Sequence, residues 1–257
     1  MDKIKFPNWI PQVEKNSKIL IAGASGGIGN ALVKLLMEGP DSIIGFHRSS
    51  SENIPKSNSS NHKLIDLKLT LSNDEQCNAL VDNFNNIADG LDALVVLCGG
   101  INNSDHWKNI NEDDWNEDIN LNLSIPFFLA RSAMEKMKTG GHIILVGTES
   151  AIHGGSPTSL AYGVAKRGIE CLVQGLARDG SNDNILVNGI RLGFINSGFH
   201  ERWQGKTSHE IEKRIELIPL RRGGEPEEAA AFIIYLLSGW SGFITGQMFP
   251  ITGGDWL

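Results

Sequence analysis

The sequence predicts an α/β fold, a doubly wound parallel sheet of about seven strands with helices on both faces. Three observations carry this. Short continuous apolar runs alternate with longer stretches of helical periodicity, the pattern of βαβ units. The apolar runs lack the in–out alternation of a half-wet sheet, so both faces are covered. A glycine-rich turn separates the first run from the first helix. Right-handed crossovers then leave few topologies.

In chain order, residues 18–22 (KILIA) form the first strand, and a helix runs from the glycine turn through Met37, closed by Gly39-Pro40. Residues 42–46 make the second strand. The Ser- and Asn-rich stretch 49–61 is a loop, and 63–66 is a short third strand. Ser72-Asn-Asp-Glu75 has the pattern of a capping box and opens a helix ending near Gly90. Residues 93–98 are a buried strand. Helices follow at 112–119 and 125–137, a fifth strand at 142–146, a helix at 159–178 and a sixth strand at 186–190. The polar stretch 197–217 leans helical. Residues 225–237 form a helix with Pro226 in its first turn, and 247–251 the last strand. No internal repeat or linker interrupts the pattern, so residues 1–257 are expected to form one domain, with 194–220 as a substrate lid.

Bulk properties narrow the function. Of the 257 residues 40% are hydrophobic and 21% charged, and the net charge of −7 argues against a nucleic-acid partner. Cys77, Cys98 and Cys171 have no metal-type spacing, and an odd count suits a reducing compartment. No signal-peptide pattern and no run of about 18 apolar residues is present, so a cytoplasmic protein without a membrane partner is expected.

The turn Ala22-Gly-Ala-Ser-Gly-Gly-Ile-Gly29 follows a strand and opens a helix. Gly23 permits the tight turn, Gly27 lets backbone approach a pyrophosphate, and Gly29 lets the helix pack on the sheet. The helix N-terminus offers free N–H groups and a positive dipole end. Ser25 and Ile28 belong to the same cradle. The second strand ends in His47-Arg48-Ser49 without a carboxylate, where Asp or Glu would take a ribose 2′-hydroxyl. Arg48 and Ser49 suit a 2′-phosphate instead, so NADP(H) is favoured over NAD(H).

Tyr162 and Lys166 stand four apart on one helix face. An ammonium beside a phenol favours the phenolate and lowers a pKa of about 10, so Tyr162 is expected to exchange a proton with a substrate oxygen near neutral pH. Two hydroxyls lie upstream, Thr148 and Ser150.

These segments together resemble the short-chain dehydrogenase/reductase family, over residues 17–254. AGASGGIG is similar to its T-G-x-x-x-G-x-G turn, with Ala22 for Thr. Asp66-Leu67 resembles its adenine-contacting pair. Asn122-Leu123, after Trp115, resembles the segment with the catalytic Asn that anchors a proton-relay water. TES…AYGVAK resembles the Ser–Tyr–Lys segment. NGIRLGFINS resembles the stretch that meets the nicotinamide, which implies roles for Gly193 and Ile195. The family's N-N-A-G is here Val96-Leu-Cys-Gly99, so Cys98 and Gly99 are implied cofactor contacts and both amides are replaced. The family's Ser position, counted back from the Tyr, falls on Glu149; alignment along the preceding strand favours Thr148 over Ser150 as the orienting hydroxyl. The resemblance implies catalysis by Asn122, Thr148, Tyr162 and Lys166, with Tyr162 and Lys166 also touching cofactor. It implies an oxidoreductase for a small carbonyl or alcohol, nearest to 3-oxoacyl-thioester reductases, built as a homotetramer or homodimer. His106, Trp107, His153, Arg202, Trp203 and Lys206 are further residues weighed for the cleft. A nucleotide-binding regulatory or scaffold protein of the same fold is the alternative.

Overall fold

The computed structural model describes residues 12–49, 55, 62–137 and 139–255. Most of the expected loop at 49–61, residues 1–11 of the N-terminal segment read for a signal, and the apolar end Trp256-Leu257 lie outside the described residues.

Seven parallel strands run in the order β3-β2-β1-β4-β5-β6-β7. They are β1 (Ser17–Ala22), β2 (Ser42–Arg48), β3 (Lys63–Lys68), β4 (Ala93–Val96), β5 (Gly141–Thr148), β6 (Ile185–Leu192) and β7 (Met248–Ile251). Among the described residues the α-helices are α1 (Gly27–Met37), α2 (Asp74–Ala88), α3 (Glu112–Ile119), α4 (Ile125–Lys136), α5 (Leu160–Gly180), α6 (Phe199–Gln204), α7 (Ser208–Glu216) and α8 (Pro226–Leu237). Among the described residues no helix is long and apolar enough to cross a membrane.

The sheet has a core on each face, as its unbroken apolar strands require. On one side Leu80 and Phe84 of α2, Leu129 of α4 and Ile169 and Val173 of α5 pack against Leu20, Leu94 and Leu145. On the other, Leu32 and Leu36 of α1 and Ile233 and Ile234 of α8 cover Ile19, Ile21 and Ile144. Gly45 lets α2 sit close, because a Cβ there would lie 2.5 Å from the Phe84 ring. Emptying that position with Phe84→Ala costs about 3–5 kcal/mol.

Several element ends differ from the sequence reading. Strand β2 runs two residues further, to Arg48, because it keeps pairing with β3 (His47 with Leu67, Arg48 with Lys68). Strand β4 ends at Val96, before Cys98. The cap of α2 is Asn73 rather than Ser72: its side chain accepts from the Gln76 N–H, and Gln76 Oε1 reaches back to the Ser72 N–H at 2.7 Å, so the box is offset by one residue. The stretch 197–217 breaks into α6 and α7 because Gly205 turns left-handed (φ +60) and Thr207 starts a new helix in a capping box with Glu210. Helices α3 and α4 are joined by a π turn, Asn120–Ser124.

Candidate active site

Strand order reverses between β1 and β4, and doubly wound sheets bind ligands at the strand C-termini beside such a reversal. A cleft with about 1040 Å³ of empty space opens there. Gly23, Gly27 and Ile28 line one part of it and Cys98 and Gly99 another. Thr148, Ser150, Tyr162 and Lys166 form its floor, and Gly193 and Ile195 its far wall. The structure thus gathers into one cavity residues spread over most of the chain.

The glycine turn is built by close contact. Gly23 has φ +84, and a Cβ on it would lie 2.8 Å from the Cys98 nitrogen. A Cβ on Gly27 would meet the Ser197 carbonyl oxygen at 2.6 Å, and one on Gly29 the Ala24 carbonyl at 2.5 Å. Gly26 caps α1 without a side-chain acceptor, and the first turn carries no acidic residue. The helix therefore presents amides and a positive dipole end to the cleft, a fit for a pyrophosphate. Ser25 lies outside the lining; its carbonyl accepts from Asn30 Nδ2 at 2.9 Å.

Arg48 and Asp66, assigned separate cofactor contacts from the sequence, are joined to each other. Arg48 Nε and Nη2 donate to the two Asp66 carboxylate oxygens at 2.7 and 2.8 Å. This bidentate bond holds the Asp66 carboxyl below its ordinary range. Arg48 is buried and Ser49 exposed. Leu67 is 4% exposed and packs in the core, so its side chain is not offered to a ligand.

The loop after β4 has lost both amides that the family pattern would place there, and other groups hold it. The Leu97 N–H donates to the Ala22 carbonyl at 2.8 Å. Asn122, on the π turn and fully buried, accepts from the Gly100 N–H at 3.2 Å and donates to the Gly100 carbonyl at 2.8 Å and that of Asp118 at 2.9 Å. Asn122 stands behind the cleft lining: a Cβ on Gly99 would lie 3.0 Å from its Oδ1 and 3.1 Å from Lys166 Nζ.

Thr148 ends β5, and Tyr162 and Lys166 lie in the first turns of α5 beside it. The Thr148 hydroxyl is near enough to Tyr162 to act on its pKa. Thr148 Oγ1 also lies 3.2 Å from Ser150 Oγ and donates to the Leu192 carbonyl at 3.3 Å. Lys166 Nζ donates to the Val146 carbonyl at 3.0 Å and lies 5.9 Å from the Tyr162 ring centre. The expectation that Lys166 lowers the Tyr162 pKa is not met. Burial raises Tyr162 well above its ordinary value, the nearby Thr148 hydroxyl lowers it in part, and the Asp118 charge raises it. Burial also lowers Lys166 to about 8, and pushes the neighbouring Cys98 thiol up to about 12. Each buried group favours its neutral form.

Glu149 turns away from the cleft floor and pairs with Arg191 at 2.9 Å. Helix α6 closes the cleft with residues the sequence only partly singled out. Phe199 lies 5.9 Å from the Tyr162 ring, His200 stacks on Phe194 at 4.3 Å, and Trp203 packs over Gly100. Arg202 reaches the lining, but Lys206 does not. His106, Trp107 and His153 are absent from it; Trp107 lines a separate hollow with Trp115 and Leu160. Phe199 and His200 carried no motif, so only their place after the tight turn at Gly198 could have marked them.

Comparison with known proteins agrees with this geometry. A family model described as Enoyl-(Acyl carrier protein) reductase matches residues 23–255. The chain is 30% identical over 238 residues to the 3-oxoacyl-[acyl-carrier-protein] reductase FabG of Rickettsia typhi, covering 91% of this chain and 95% of that one. It is 30% identical to the nodulation protein G of Rhizobium meliloti, covering 92% and 96%. Among solved structures it superposes on a short-chain dehydrogenase/reductase from Serratia marcescens with a TM-score of 0.83 at 24% identity, covering 95% and 98%. A dehydrogenase/reductase from Sinorhizobium meliloti gives 0.87 at 23%, covering 95% and 97%. Fold, cleft and sequence similarity agree that the chain belongs to the short-chain dehydrogenase/reductase family.

Proposed function

We propose that the chain is an NADP(H)-dependent reductase of a carbonyl compound, with 3-oxoacyl thioesters as its first candidate substrates. The family makes it an oxidoreductase acting between C=O and CH–OH with NAD(P). The observation that carries the finer reading is the meeting of Thr148, Tyr162 and Lys166 in a cleft whose other part is the uncapped start of α1. The 3-oxoacyl suggestion comes from the names of relatives such as the Rickettsia typhi reductase. The NADP(H) preference rests on Arg48, the cation at the end of β2.

The cofactor would be held by the α1 amides, by Arg48 and Ser49 at the 2′ position, by the 98–99 and 193–195 backbone, and by Lys166 at the nicotinamide ribose. Bound, it supplies the hydride. The chain does the rest. Thr148 donates a hydrogen bond to the substrate oxygen and orients it. Tyr162 donates its proton to that oxygen, and its raised pKa keeps the proton on at neutral pH. Lys166 is charged below about pH 8 and offsets the developing phenolate. Asn122 holds the 99–100 loop and anchors the relay that reprotonates Tyr162. Residues 194–220 act as the lid, with residues 1–257 as one domain. The enzyme works as a homotetramer or homodimer in the cytoplasm.

The test follows NADPH absorbance with 3-oxoacyl thioesters, ketones and aldehydes, for wild type and Tyr162→Phe. Turnover that collapses in the variant supports the reductase. Tight NADPH binding with no turnover on any member of the panel would move the reading to a nucleotide-binding regulatory protein. Light scattering that finds a monomer would remove the oligomer from the proposal.

A further inference from the structure

His47 takes part in none of the steps above, yet both its ring nitrogens are hydrogen-bonded behind the cofactor end of the cleft. It sits in β2, 3% exposed. Its Nδ1 accepts from the Gly23 N–H at 3.0 Å. Its Nε2 lies 2.9 Å from the Leu69 carbonyl oxygen. A backbone N–H can only donate and a carbonyl can only accept, so the ring is the neutral Nε2–H tautomer with both nitrogens satisfied. The His47 carbonyl accepts from the Ala24 N–H at 2.9 Å, and the Leu69 N–H donates to the Arg48 carbonyl at 3.0 Å.

One residue therefore ties together three segments: the glycine turn after β1, the end of β2 that presents Arg48, and the chain leaving β3 just past Asp66. Its grip falls on Gly23, whose left-handed backbone already abuts Leu97 and Cys98. Ala22, where the family pattern has Thr, brings no side-chain hydroxyl to this turn.

We infer that His47 is a positioning residue for the nicotinamide cofactor, its Nδ1 fixing the Gly23 amide so that the glycine turn is pre-shaped for the pyrophosphate. Burial lowers the His47 pKa below its ordinary value, so the acceptor nitrogen is kept unprotonated at neutral pH. A turn that loses this acceptor must order itself when the cofactor arrives, and that cost appears in cofactor affinity rather than in the chemical step.

This inference rests on the reading that the glycine turn takes a nicotinamide cofactor. The experiment is direct titration of NADPH and NADH, by quenching of protein fluorescence, into wild type and His47→Ala, His47→Asn and His47→Gln, with kcat at saturating cofactor measured alongside. Asn places an oxygen acceptor near the position of Nδ1, facing Gly23. Gln extends a donor toward Leu69 but offers Gly23 no acceptor. His47→Ala and His47→Gln should weaken binding about tenfold, the ~1.4 kcal/mol of one lost hydrogen bond. His47→Asn should stay within about threefold of wild type on the same scale, with kcat little changed in all three. A purely structural role would lower the melting temperature of Asn and Gln variants alike without separating their affinities. If Ala does not fold, the Asn–Gln pair still decides. Equal affinities for Asn and Gln, or a fall in kcat that matches the fall in affinity, would overturn the inference. Wild-type protein that binds neither nucleotide would overturn the cofactor reading and this inference with it.

Discussion

Thr148 and Ser150 hold their hydroxyl oxygens 3.2 Å apart on the cleft floor, and of the two it is the Thr148 hydroxyl that holds the Tyr162 pKa down in part. That arrangement favours Thr148 over Ser150 as the hydroxyl expected to meet a substrate oxygen. Thr148→Ala should lower kcat/KM by about 10²-fold, the scale of losing one oriented donor in a desolvated site. Thr148→Ser should retain most activity and Ser150→Ala nearly all of it. Steady-state kinetics on the three variants checks this; Ser150→Ala as damaging as Thr148→Ala would reverse the assignment.

Tyr162 carries a proton held on by burial. Tyr162→Phe keeps the ring and its contact with Phe199 but has nothing to transfer, so kcat should fall by about 10²–10⁴-fold. NADPH affinity, measured by titration, should change by less than about threefold. A variant that loses affinity as steeply as turnover would place Tyr162 in binding instead.

Lys166 has a linked effect on stability. Its pKa falls from 10.5 in the free side chain to about 8 in the fold. Between those values the unfolded chain binds more protons, so stability rises with pH from about 8 to 10.5, and below pH 8 the fold bears the full cost of a buried ammonium. That displacement corresponds to roughly 3 kcal/mol. Lys166→Met removes the cost but leaves the Val146 carbonyl without its donor, which returns about 1–3 kcal/mol. The cofactor-free variant should therefore melt no lower than wild type at pH 7, lose that advantage toward pH 10, and be inactive. Calorimetry at several pH values tests it; a variant markedly less stable at pH 7 contradicts the argument.

Arg48 is available to a 2′-phosphate only by sharing or leaving Asp66. Charge-assisted bonds are worth about 1.5–3 kcal/mol, so Arg48→Ala should lower kcat/KM for NADPH by about 10–100-fold. The value for NADH should barely move. Equal losses with both cofactors would show that Arg48 supports the site without selecting the nucleotide.

The sheet was readable because its strands are buried on both faces and need unbroken apolar runs, as in KILIA, whatever else the chain does. The glycine turn and the Tyr162–Lys166 pair were readable because each lies within one short segment with fixed spacing. The pairing of Arg48 with Asp66 was not, since two residues each assigned a ligand from their own motif gave no sign of facing each other. The sign of the Tyr162 shift is hidden for a related reason: spacing shows that an ammonium is near, while burial depends on distant segments such as α6, whose Phe199 ring lies 5.9 Å from that of Tyr162. The π turn was also hidden, because its residues suit an ordinary helix equally well.

That π turn bears on which changes of length the chain can absorb. A π turn is an α-helix with one residue too many, bulged out where it is least regular. Shortening the rod by one residue between 120 and 124 would relax it to a plain α-helix. The outward faces of α3 and α4 would stay in phase with the neighbours they pack on, so such a chain should still fold. It would also swing Asn122 away from Gly100 and release the loop beneath Lys166. At this point in the molecule the smoother helix belongs to the poorer enzyme.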